Sequence, residues 1–432
     1  MGFFTFVGVA VVALGLIAAG VIGLKIWKGD KNTEKAQQAL EAFYTPPNAL
    51  PDKPGVIIRS EPLDNVTVEG GQGYRVLYTT TTANGSIAAV SGMVFIPTAA
   101  QSGDRKVLAW AHGTVGLAPQ CAPSRTDNPV SAMTDFLPLA MQQGWVVTAT
   151  DYLGLGTPGP KTFLIGTQEA ADVVNSVRAA RQMPGAQAGT DWAVWGHSQG
   201  GNSSLWTGDL ASKIAPELHL KAVGAAAPAA KLLTLVEQVW STVTGWVIGG
   251  EAAVSFTDYY GGTAFTDSLT SSGQRSLASS DDECIIQSAI ESKARDALGQ
   301  QFFTSNPIEN PAWVRAAQEQ TPTPPADVPV FVAVGTADSV VAPGSNAQLQ
   351  EQWCKAGTDL TMLWLGGLDH VPTAGAAGPS YIEWAANRFA GKPATRNCQF
   401  PPAVTPLPDV TPSASVKEQA KALPTPSALD TQ

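Results

Sequence analysis

The sequence predicts an α/β protein with a mostly parallel sheet flanked by helices and with one inserted, mainly helical cap. Short apolar runs recur along the chain without alternating in polarity, a pattern typical of strands that are buried on both faces of a sheet. Longer helical stretches separate these runs, as the crossovers of a parallel sheet require. The stretch between Ala227 and Val328 is much longer than one crossover helix, which predicts an insertion there.

The composition indicates a globular protein whose partner is small or apolar. The chain has 432 residues, of which 44% are hydrophobic, enough for one large domain with insertions or for two ordinary domains. Only 14% of the residues are charged, and the net charge is −10. Because no cluster of Lys and Arg can neutralise a phosphate backbone, nucleic-acid binding has no electrostatic basis.

The N-terminus contains an uncharged run from Phe3 to Leu24. As a helix this run would be about 33 Å long, enough to cross a hydrocarbon core. Neither a basic stretch before the run nor a small-residue cleavage site after it is clear, so residues 1–28 are interpreted as a membrane anchor, with a signal segment as the alternative. Lys25, Lys28 and Lys31 follow the run and favour a cytoplasmic main domain.

The four cysteines argue for the opposite side of the membrane. An even count without CxxC or Cys/His spacing predicts two disulfides in an oxidising compartment and no metal site. We therefore expect an extracytoplasmic domain that is anchored to the cell membrane, with a secreted protein as the alternative. Four buried thiols in a cytoplasmic enzyme are the competing interpretation, and the sequence alone leaves three pairings open. The cysteines are Cys121, Cys284, Cys354 and Cys398.

The main domain is predicted over residues 56–400, after a linker at 29–55 that includes a short helix. It begins with a hairpin, because the β-rich runs Tyr74–Thr82 and Ile87–Ile96 are separated by a turn that contains an Asn-Gly pair. The later strands are predicted at Lys106–Ala111, Trp145–Ala149, Asp191–Trp195, Lys221–Ala227, Val328–Val334 and Leu360–Leu365.

Three further segments complete the predicted organisation. A helix from Thr167 to Met183 is expected to cover the sheet, with Thr167 as its cap and a Pro-Gly pair at its end. Residues 229–320 are interpreted as the helical cap; extra core packing is the alternative. Pro, Ser, Thr and Ala dominate from Pro401 onward, which predicts a disordered tail over residues 401–432.

A candidate nucleophile lies in the segment Gly196-His197-Ser198-Gln199-Gly200. The Gly-x-Ser-x-Gly pattern alone is weak in a chain with 42 glycines. Its setting strengthens it, because an apolar strand precedes Ser198 and a helical pattern follows. Such a strand-to-helix turn lifts the serine hydroxyl above the end of the strand, which predicts Ser198 as a nucleophile.

A serine nucleophile needs a histidine base, and the chain has only four histidines. His197 adjoins the serine and is expected to point away into the packing, and His219 is expected at the surface. His112 ends an early strand and is better suited to building an oxyanion loop. His370 follows the last predicted strand, the position from which a base reaches the nucleophile. We therefore predict His370 as the base.

The base needs a carboxylate that orients its ring and stabilises its charged form. Asp338 follows the strand Val328–Val334, at the end where open α/β sheets place functional groups. Asp369 is the alternative, although a sequence neighbour of His370 is badly placed to reach the far nitrogen of its imidazole. The order Ser198, Asp338, His370 is that of the α/β-hydrolases.

Backbone amides must receive the negative charge of a tetrahedral intermediate. In this fold one donor follows the nucleophile, which predicts Gln199. The second comes from the loop after an early strand, which predicts Gly113 or Thr114, with a plain glycine turn as the alternative.

These segments together resemble the secretory lipase family of fungi and actinobacteria. The resemblance implies an α/β-hydrolase core with a helical cap, an acyl-enzyme mechanism without cofactor, and acyl esters or lipids as substrates. It also implies the disulfide pairs Cys121–Cys284 and Cys354–Cys398. Two features depart from the family: the N-terminal anchor, and the second oxyanion donor, which varies among relatives. The matching segments are Ser91–Pro97, His112–Thr114 with Cys121–Ser124, Asp151–Gly156, Gly196–Gly201, Gly335–Asp338 and His370–Pro372.

The sequence therefore predicts a serine esterase or lipase that hydrolyses carboxylic esters, similar to a triacylglycerol lipase. Two alternatives stay open at this point. An envelope acyltransferase would use the same triad and deliver the acyl group to an alcohol. A non-catalytic binding protein would keep only the fold.

Overall fold

The computed structural model describes residues 35–423 apart from 36, 65, 281 and 282. The chain divides into two compact units, Met1–Thr45 and Pro46–Gln432. In the first unit, residues 37–44 form a helix within the segment predicted as a linker. The predicted anchor Phe3–Leu24 lies outside the described residues. Within the described part of the chain, no helix has the length and the hydropathy of a membrane span.

The second unit contains a nine-stranded sheet in the order β1-β2-β3-β5-β4-β6-β7-β8-β9. Strands β1, β2 and β3 are antiparallel to their neighbours. The other six strands, β5, β4, β6, β7, β8 and β9 in their order across the sheet, run parallel to one another. The predicted mostly parallel sheet is therefore confirmed. The strands are β1 Ile57–Pro62, β2 Gly71–Thr81, β3 Ile87–Pro97, β4 Arg105–Ala111, β5 Val146–Thr150, β6 Ala188–His197, β7 His219–Ala226, β8 Val330–Gly335 and β9 Leu360–Leu365.

Helices cover both faces of the sheet, which explains why the parallel strands are continuously apolar. Valines of α2, Leu205 of α3 and Leu349 of α9 share one buried cluster with one face of the strands. Leucine, methionine and tyrosine side chains of α1 and α10 pack against the other face. These helices are α1 Leu137–Gln142, α2 Gly166–Ala180, α3 Gln199–Ile214, α9 Pro343–Lys355 and α10 His370–Phe389.

The described residues between β7 and β8 form five α-helices, in the segment predicted as an insertion. Three of them, Leu232–Val239, Val243–Tyr260 and Pro311–Glu319, share an apolar cluster with residues 163–165. In this cluster the rings of Phe256, Phe265, Phe303 and Trp313 meet edge to face at 5.4–5.7 Å. Such aromatic contacts stabilise a local core beyond the area they bury. That these inserted helices act as a cap over the active site stays a prediction. The helices are α4 Leu232–Val239, α5 Val243–Tyr260, α6 Ser271–Leu277, α7 Ile285–Ala297 and α8 Pro311–Glu319.

The start of α2 differs from the prediction. The helix begins at Gly166, and Thr167 lies inside it rather than capping it. Glu169 lies in the first turn and is completely buried, and its carboxylate accepts a hydrogen bond from the amide of Leu164. The Glu169 side chain, inside the helix, therefore accepts the hydrogen bond of a backbone amide just before the helix. The residue preferences of helix caps do not predict this contact.

The C-terminal tail also differs from the prediction. Residues 401–423 pack against other residues of the second unit, and Ala414–Ala422 form the helix α11. Gln348 donates a 2.5 Å hydrogen bond to Asp409, the amide of Leu407 donates to the carbonyl of Gly344, and Arg315 donates to the carbonyl of Leu423. The predicted disorder is wrong for these residues because tertiary contacts order a composition that has little structure by itself.

Two disulfides join Cys121 to Cys284 and Cys354 to Cys398, the pairing that the family resemblance implies. The first links the loop after β4 to the start of α7. A hydrogen bond of 2.9 Å from the amide of Ile285 to the carbonyl of Val115 lies next to it. The inserted helices are thus held covalently to the segment that follows Gly113 and Thr114.

Candidate active site

A sharp turn joins β6 to α3 and carries Ser198 at its apex. Ser198 has φ 57° and ψ −115°, and residues other than glycine rarely adopt such a positive φ. The flanking glycines are required sterically: a Cβ at Gly196 would lie 2.0 Å from the carbonyl oxygen of Gly200, and one at Gly200 would lie 1.9 Å from that of Ala111. The local sequence therefore dictates this strained turn, as the Gly-x-Ser-x-Gly pattern predicts.

The structure brings Ser198, His370 and Asp338 together, although they are far apart in sequence. The imidazole Nε2 of His370 lies 2.9 Å from the Ser198 Oγ, and its Nδ1 lies 2.8 Å from the Asp338 Oδ2. All three side chains are buried. In the neutral tautomer that these contacts favour, Nδ1–H donates to the carboxylate, and Nε2 accepts from the serine hydroxyl.

Asp338 is held in place by the backbone that follows it. Its Oδ1 accepts hydrogen bonds from the amides of Val340 at 2.9 Å and Val341 at 2.8 Å, which leaves Oδ2 for the histidine. Asp369, the alternative acid, caps α10 instead: it accepts from the amide of His370 and from the amide and hydroxyl of Ser339. These bonds hold the pKa of the Asp369 carboxyl below its usual range. The geometry therefore separates the two carboxylates that the sequence left in competition.

His197 does not lie where the sequence predicts. Instead of pointing away into the packing, its Nε2 lies 3.1 Å from the carbonyl oxygen of His370, and the two rings are 4.8 Å apart. Burial lowers the pKa of His197 to about 4, so the neutral ring donates its Nε2–H to that carbonyl. The sharp turn at Ser198 directs the side chain of the preceding residue, His197, toward His370. This direction is evident only from the folded backbone.

The other two histidines lie outside the triad. His112 is buried, and its Nδ1 lies 2.7 Å from the carbonyl of Gly113. Burial lowers the pKa of His112, which favours its neutral form. His219 is exposed at the start of β7, beside Asp191. His219 therefore lies at the surface, as the sequence predicts, whereas the part of His112 in an oxyanion loop stays a prediction.

The loop predicted to supply an oxyanion donor lies beside the nucleophile. A Cβ at Gly113 would be 3.1 Å from the His197 Nδ1 and 3.6 Å from the Ser198 Cβ, so this backbone packs closely on the turn. Gly113 and Thr114 both line the pocket that contains Ser198. Gln199 is the first residue of α3, and its side chain donates to the buried carboxylate of Glu169. The assignment of the donor amides stays a prediction.

Helix α10 carries the base, and one tyrosine fixes this helix against the strand that carries the nucleophile. The Tyr381 ring stacks on Trp195 of β6 with centroids 4.5 Å apart, and its hydroxyl donates to the carbonyl of Val194 at 2.6 Å. Gly224 allows this contact, because a Cβ there would lie 2.2 Å from the tyrosine ring.

Replacing Tyr381 with phenylalanine is expected to lower the free energy of unfolding by about 1–2 kcal/mol, because a buried hydrogen bond is lost while the ring stacking stays. Chemical denaturation of both proteins measures this difference. Tyr74→Phe is the matched control, because this tyrosine is partly buried and, among the described residues, its hydroxyl makes no hydrogen bond, so we expect a smaller loss. A Tyr381→Phe protein as stable as the wild type would contradict the assigned hydrogen bond.

A pocket of about 700 Å³ opens above the triad. Its walls come from Met93 of β3, from the carboxyl ends of β4 and β5, from the segment 123–132, and from helices α5 and α7. The lining is mainly apolar, which suits a hydrophobic ligand with a few polar groups at the reacting end. Apolar lining residues are Met93, Trp110, Ala149, Val243, Val247, Ile248, Ile285, Ile286, Ala289, Ile290 and Val371.

The family model of secretory lipases matches residues 129–397, more than half of the chain. The chain belongs to the secretory lipase family. This finding confirms the resemblance predicted from the six sequence segments, and the matched region includes Ser198, Asp338 and His370.

Curated relatives come from fungi and from a mycobacterium. Lipase 10 of Candida albicans is 29% identical over 303 residues, covering 64% of this chain and 62% of that protein, so the chain spans less than two thirds of its length. A secreted triacylglycerol lipase of Malassezia globosa is 24% identical over 91% of this chain and 89% of its own. A probable inactive lipase of Mycobacterium tuberculosis is 22% identical, over 87% and 89% respectively.

Among solved structures, Candida antarctica lipase A is similar with a TM-score of 0.66 at 18% identity, over 86% of this chain and 91% of that chain. At this identity the likeness shows the fold alone. The predicted α/β-hydrolase fold is confirmed.

Proposed function

We propose that this member of the secretory lipase family hydrolyses carboxylic esters through an acyl-enzyme on Ser198. The observation that carries the proposal is the continuous hydrogen-bonded chain from Asp338 through His370 to the Ser198 hydroxyl. A serine hydroxyl becomes a nucleophile when a base removes its proton during attack, and His370 is within reach of that proton.

In the first half-reaction the Ser198 Oγ attacks the carbonyl carbon of the ester while its proton passes to the His370 Nε2. The positive charge on the imidazole is stabilised by Asp338, which accepts from Nδ1–H and keeps the ring oriented. Negative charge collects on the carbonyl oxygen, where the amide of Gln199 and an amide of Gly113 or Thr114 receive it. The bond to the leaving alkoxide then breaks, and His370 returns the proton to it as the alcohol departs.

In the second half-reaction a water molecule takes the place of the alcohol. His370 removes a proton from the water, whose oxygen attacks the acyl carbon, and the bond between the acyl group and the Ser198 Oγ breaks as the serine regains a proton. The products are a carboxylic acid and the free enzyme, so no cofactor is consumed. Transfer to an alcohol would use the same acyl-enzyme with a different acceptor.

The shape and chemistry of the pocket support an apolar acyl group as the substrate. A pocket of about 700 Å³ lies within the usual range of small-molecule sites, and its apolar walls continue from Ser198 to helices α5 and α7. We therefore propose lipid-like acyl esters. Comparing kcat/KM for p-nitrophenyl esters of different acyl chain length would identify the preferred chain length.

We expect a burst of p-nitrophenol equal to one molecule per active site when the purified protein meets a p-nitrophenyl ester in a rapid-mixing experiment. The burst reports acyl-enzyme accumulation. Acid quenching followed by peptide mass spectrometry should find the acyl group on the peptide that contains Ser198. The acylated peptide should be absent from a Ser198→Ala protein. Ester turnover by a wild-type protein whose Ser198 is not modified by a fluorophosphonate would contradict the mechanism, and no turnover of any ester would contradict the activity.

The location of the domain is a separate proposal. The two disulfides support an extracytoplasmic domain, because such bonds persist in oxidising compartments. Anchoring through Phe3–Leu24 stays a prediction. Protease treatment of intact cells distinguishes the sides of the membrane, and comparing the protein in cells and in medium distinguishes anchoring from secretion.

A further inference from the structure

Helix α2 carries two buried carboxyl groups that the proposed mechanism does not use. Glu169 and Asp172 lie on the same helix, and neither is exposed to solvent. A buried carboxyl group is costly unless hydrogen bonds compensate it, so each position requires a structural or functional reason. The two carboxyl groups accept hydrogen bonds from different parts of the molecule, so we assign them different roles.

Glu169 binds the residue that follows the nucleophile. Its Oε1 accepts a hydrogen bond of 2.6 Å from the side-chain amide of Gln199, and its Oε2 accepts from the hydroxyl of Ser203. The Ser203 hydroxyl also lies 3.1 Å from the carbonyl oxygen of Gln199. The first turn of α3 is thus held to the carboxylate through two side chains, those of Gln199 and Ser203.

The same carboxylate oxygen holds a segment that packs against the inserted helices. The amide of Leu164 donates to the Glu169 Oε1 at 3.0 Å, and Leu164 adopts a φ of 57°. A positive φ costs roughly 1 kcal/mol or more at a leucine, so surrounding contacts must maintain it. Leu164 belongs to the apolar cluster of the insertion. Glu169 therefore lies where the nucleophile turn and the insertion meet.

We propose that Glu169 is a positioning residue that orients Gln199, and with it the backbone amide that receives the negative charge of the tetrahedral intermediate. This inference rests on the proposed function, since it assigns a role within that reaction. Gln199 is the first residue of α3, and its amide follows directly on Ser198. A displacement of about 1 Å at such a donor can lower a rate by roughly a hundredfold.

The electrostatic surroundings agree with this role. Burial raises the pKa of Glu169 to about 7, whereas its three hydrogen-bond donors favour the ionised form. The titratable groups that face it are Asp172 on its own helix and Tyr152 after β5, and both pKa values are raised by burial. Above neutral pH the carboxylate accepts all three hydrogen bonds without carrying a proton.

Asp172 provides a matched control on the same helix. It is equally buried, and burial raises its pKa to about 7 as well. Its partners are Thr80, Gln168 and the amide of Leu153, and among the described residues none of its hydrogen bonds reaches α3. Removing its charge should disturb the packing of α2 without moving Gln199.

The test compares Glu169→Met, Gln199→Met and their double variant with Asp172→Leu. Each single variant at the Glu169–Gln199 contact should lower kcat for a p-nitrophenyl ester by roughly 10- to 100-fold with little change in KM. Because both substitutions remove the same contact, the double variant should be no slower than the slower single variant. Asp172→Leu should lower the unfolding temperature and leave kcat unchanged.

Two further measurements separate positioning from general stability. An alkyl trifluoromethyl ketone forms a hemiketal oxyanion with Ser198, so its inhibition constant should rise in parallel with the loss in kcat/KM. Glu169→Gln should restore most of the activity, since its amide oxygen can accept from Gln199 and Leu164 while its NH₂ group donates to Ser203.

The outcomes are distinguishable. Additive effects in the double variant, or an equal loss of kcat in Asp172→Leu, would overturn the positioning role. If Glu169→Met does not fold, Gln199→Met decides, and a wild-type kcat in that protein overturns the inference. A wild-type protein that hydrolyses no ester overturns the proposed function together with this inference, whereas an active wild type with unaffected variants overturns the inference alone.

Discussion

Replacement of Ser198 by alanine is expected to lower kcat for ester hydrolysis by about a millionfold. The substitution removes the atom that attacks the ester, and the His370 Nε2 loses the hydroxyl that lies 2.9 Å away. The residual rate would come from the oxyanion donors and from substrate binding alone. Initial rates with p-nitrophenyl esters measure the effect, provided that the two proteins are purified separately to avoid contamination.

Ser204→Ala is the matched control for this experiment. Ser204 is a buried serine on α3, the helix that follows Ser198, and within the described part of the chain its hydroxyl has no hydrogen-bond partner. Its loss should therefore leave kcat unchanged. A Ser198→Ala protein that keeps more than about a thousandth of the wild-type kcat would show that another group performs the attack.

Replacement of Asp338 by asparagine is expected to lower kcat by about ten thousandfold. The carboxylate accepts the Nδ1–H of His370 at 2.8 Å, and so keeps Nε2 free to receive the serine proton. An asparagine amide can donate to Nδ1 and favour the other tautomer, and it cannot stabilise a positive imidazole. The rate constants for acylation and deacylation should both fall, since His370 transfers a proton in each.

Asp369→Asn tests the same residue type one position before the base. Asp369 accepts from the amides of His370 and Ser339 and makes no contact with the imidazole ring at Nδ1. Asparagine is also a good helix cap, so the loss in kcat should be small. Equal losses in the two variants would contradict the assignment of Asp338 as the orienting acid.

Local patterns explain which parts of the fold could be predicted. The strand Leu360–Leu365 was predicted to the residue, because an apolar run bounded by turn residues is a local property. Strand β1 was missed, since Ile57–Pro62 contains charged residues and ends in proline, as edge strands often do. The tail helix Ala414–Ala422 was also missed, because its order depends on contacts with distant residues.

The candidate site divides in the same way. Ser198, His370 and Asp338 were predicted because the turn pattern, the small number of histidines and the ends of apolar strands can all be read in order along the chain. Three contacts were not predicted: His197 with the carbonyl of His370, Tyr381 with Val194, and Glu169 with Gln199. Each joins residues at least 30 positions apart, so no local pattern signals it.

By itself, the sequence determined the class of fold, the order of the triad and the chemistry of its members, because residue type and spacing specify these features. Only the tertiary structure decided which of Asp338 and Asp369 reaches the base and where the ring of His197 lies. It also decided what the buried charge of Glu169 contacts. These outcomes depend on which side chains of separate strands and helices the folded chain brings together, and residues far apart in sequence reach these relative positions only after the sheet has formed.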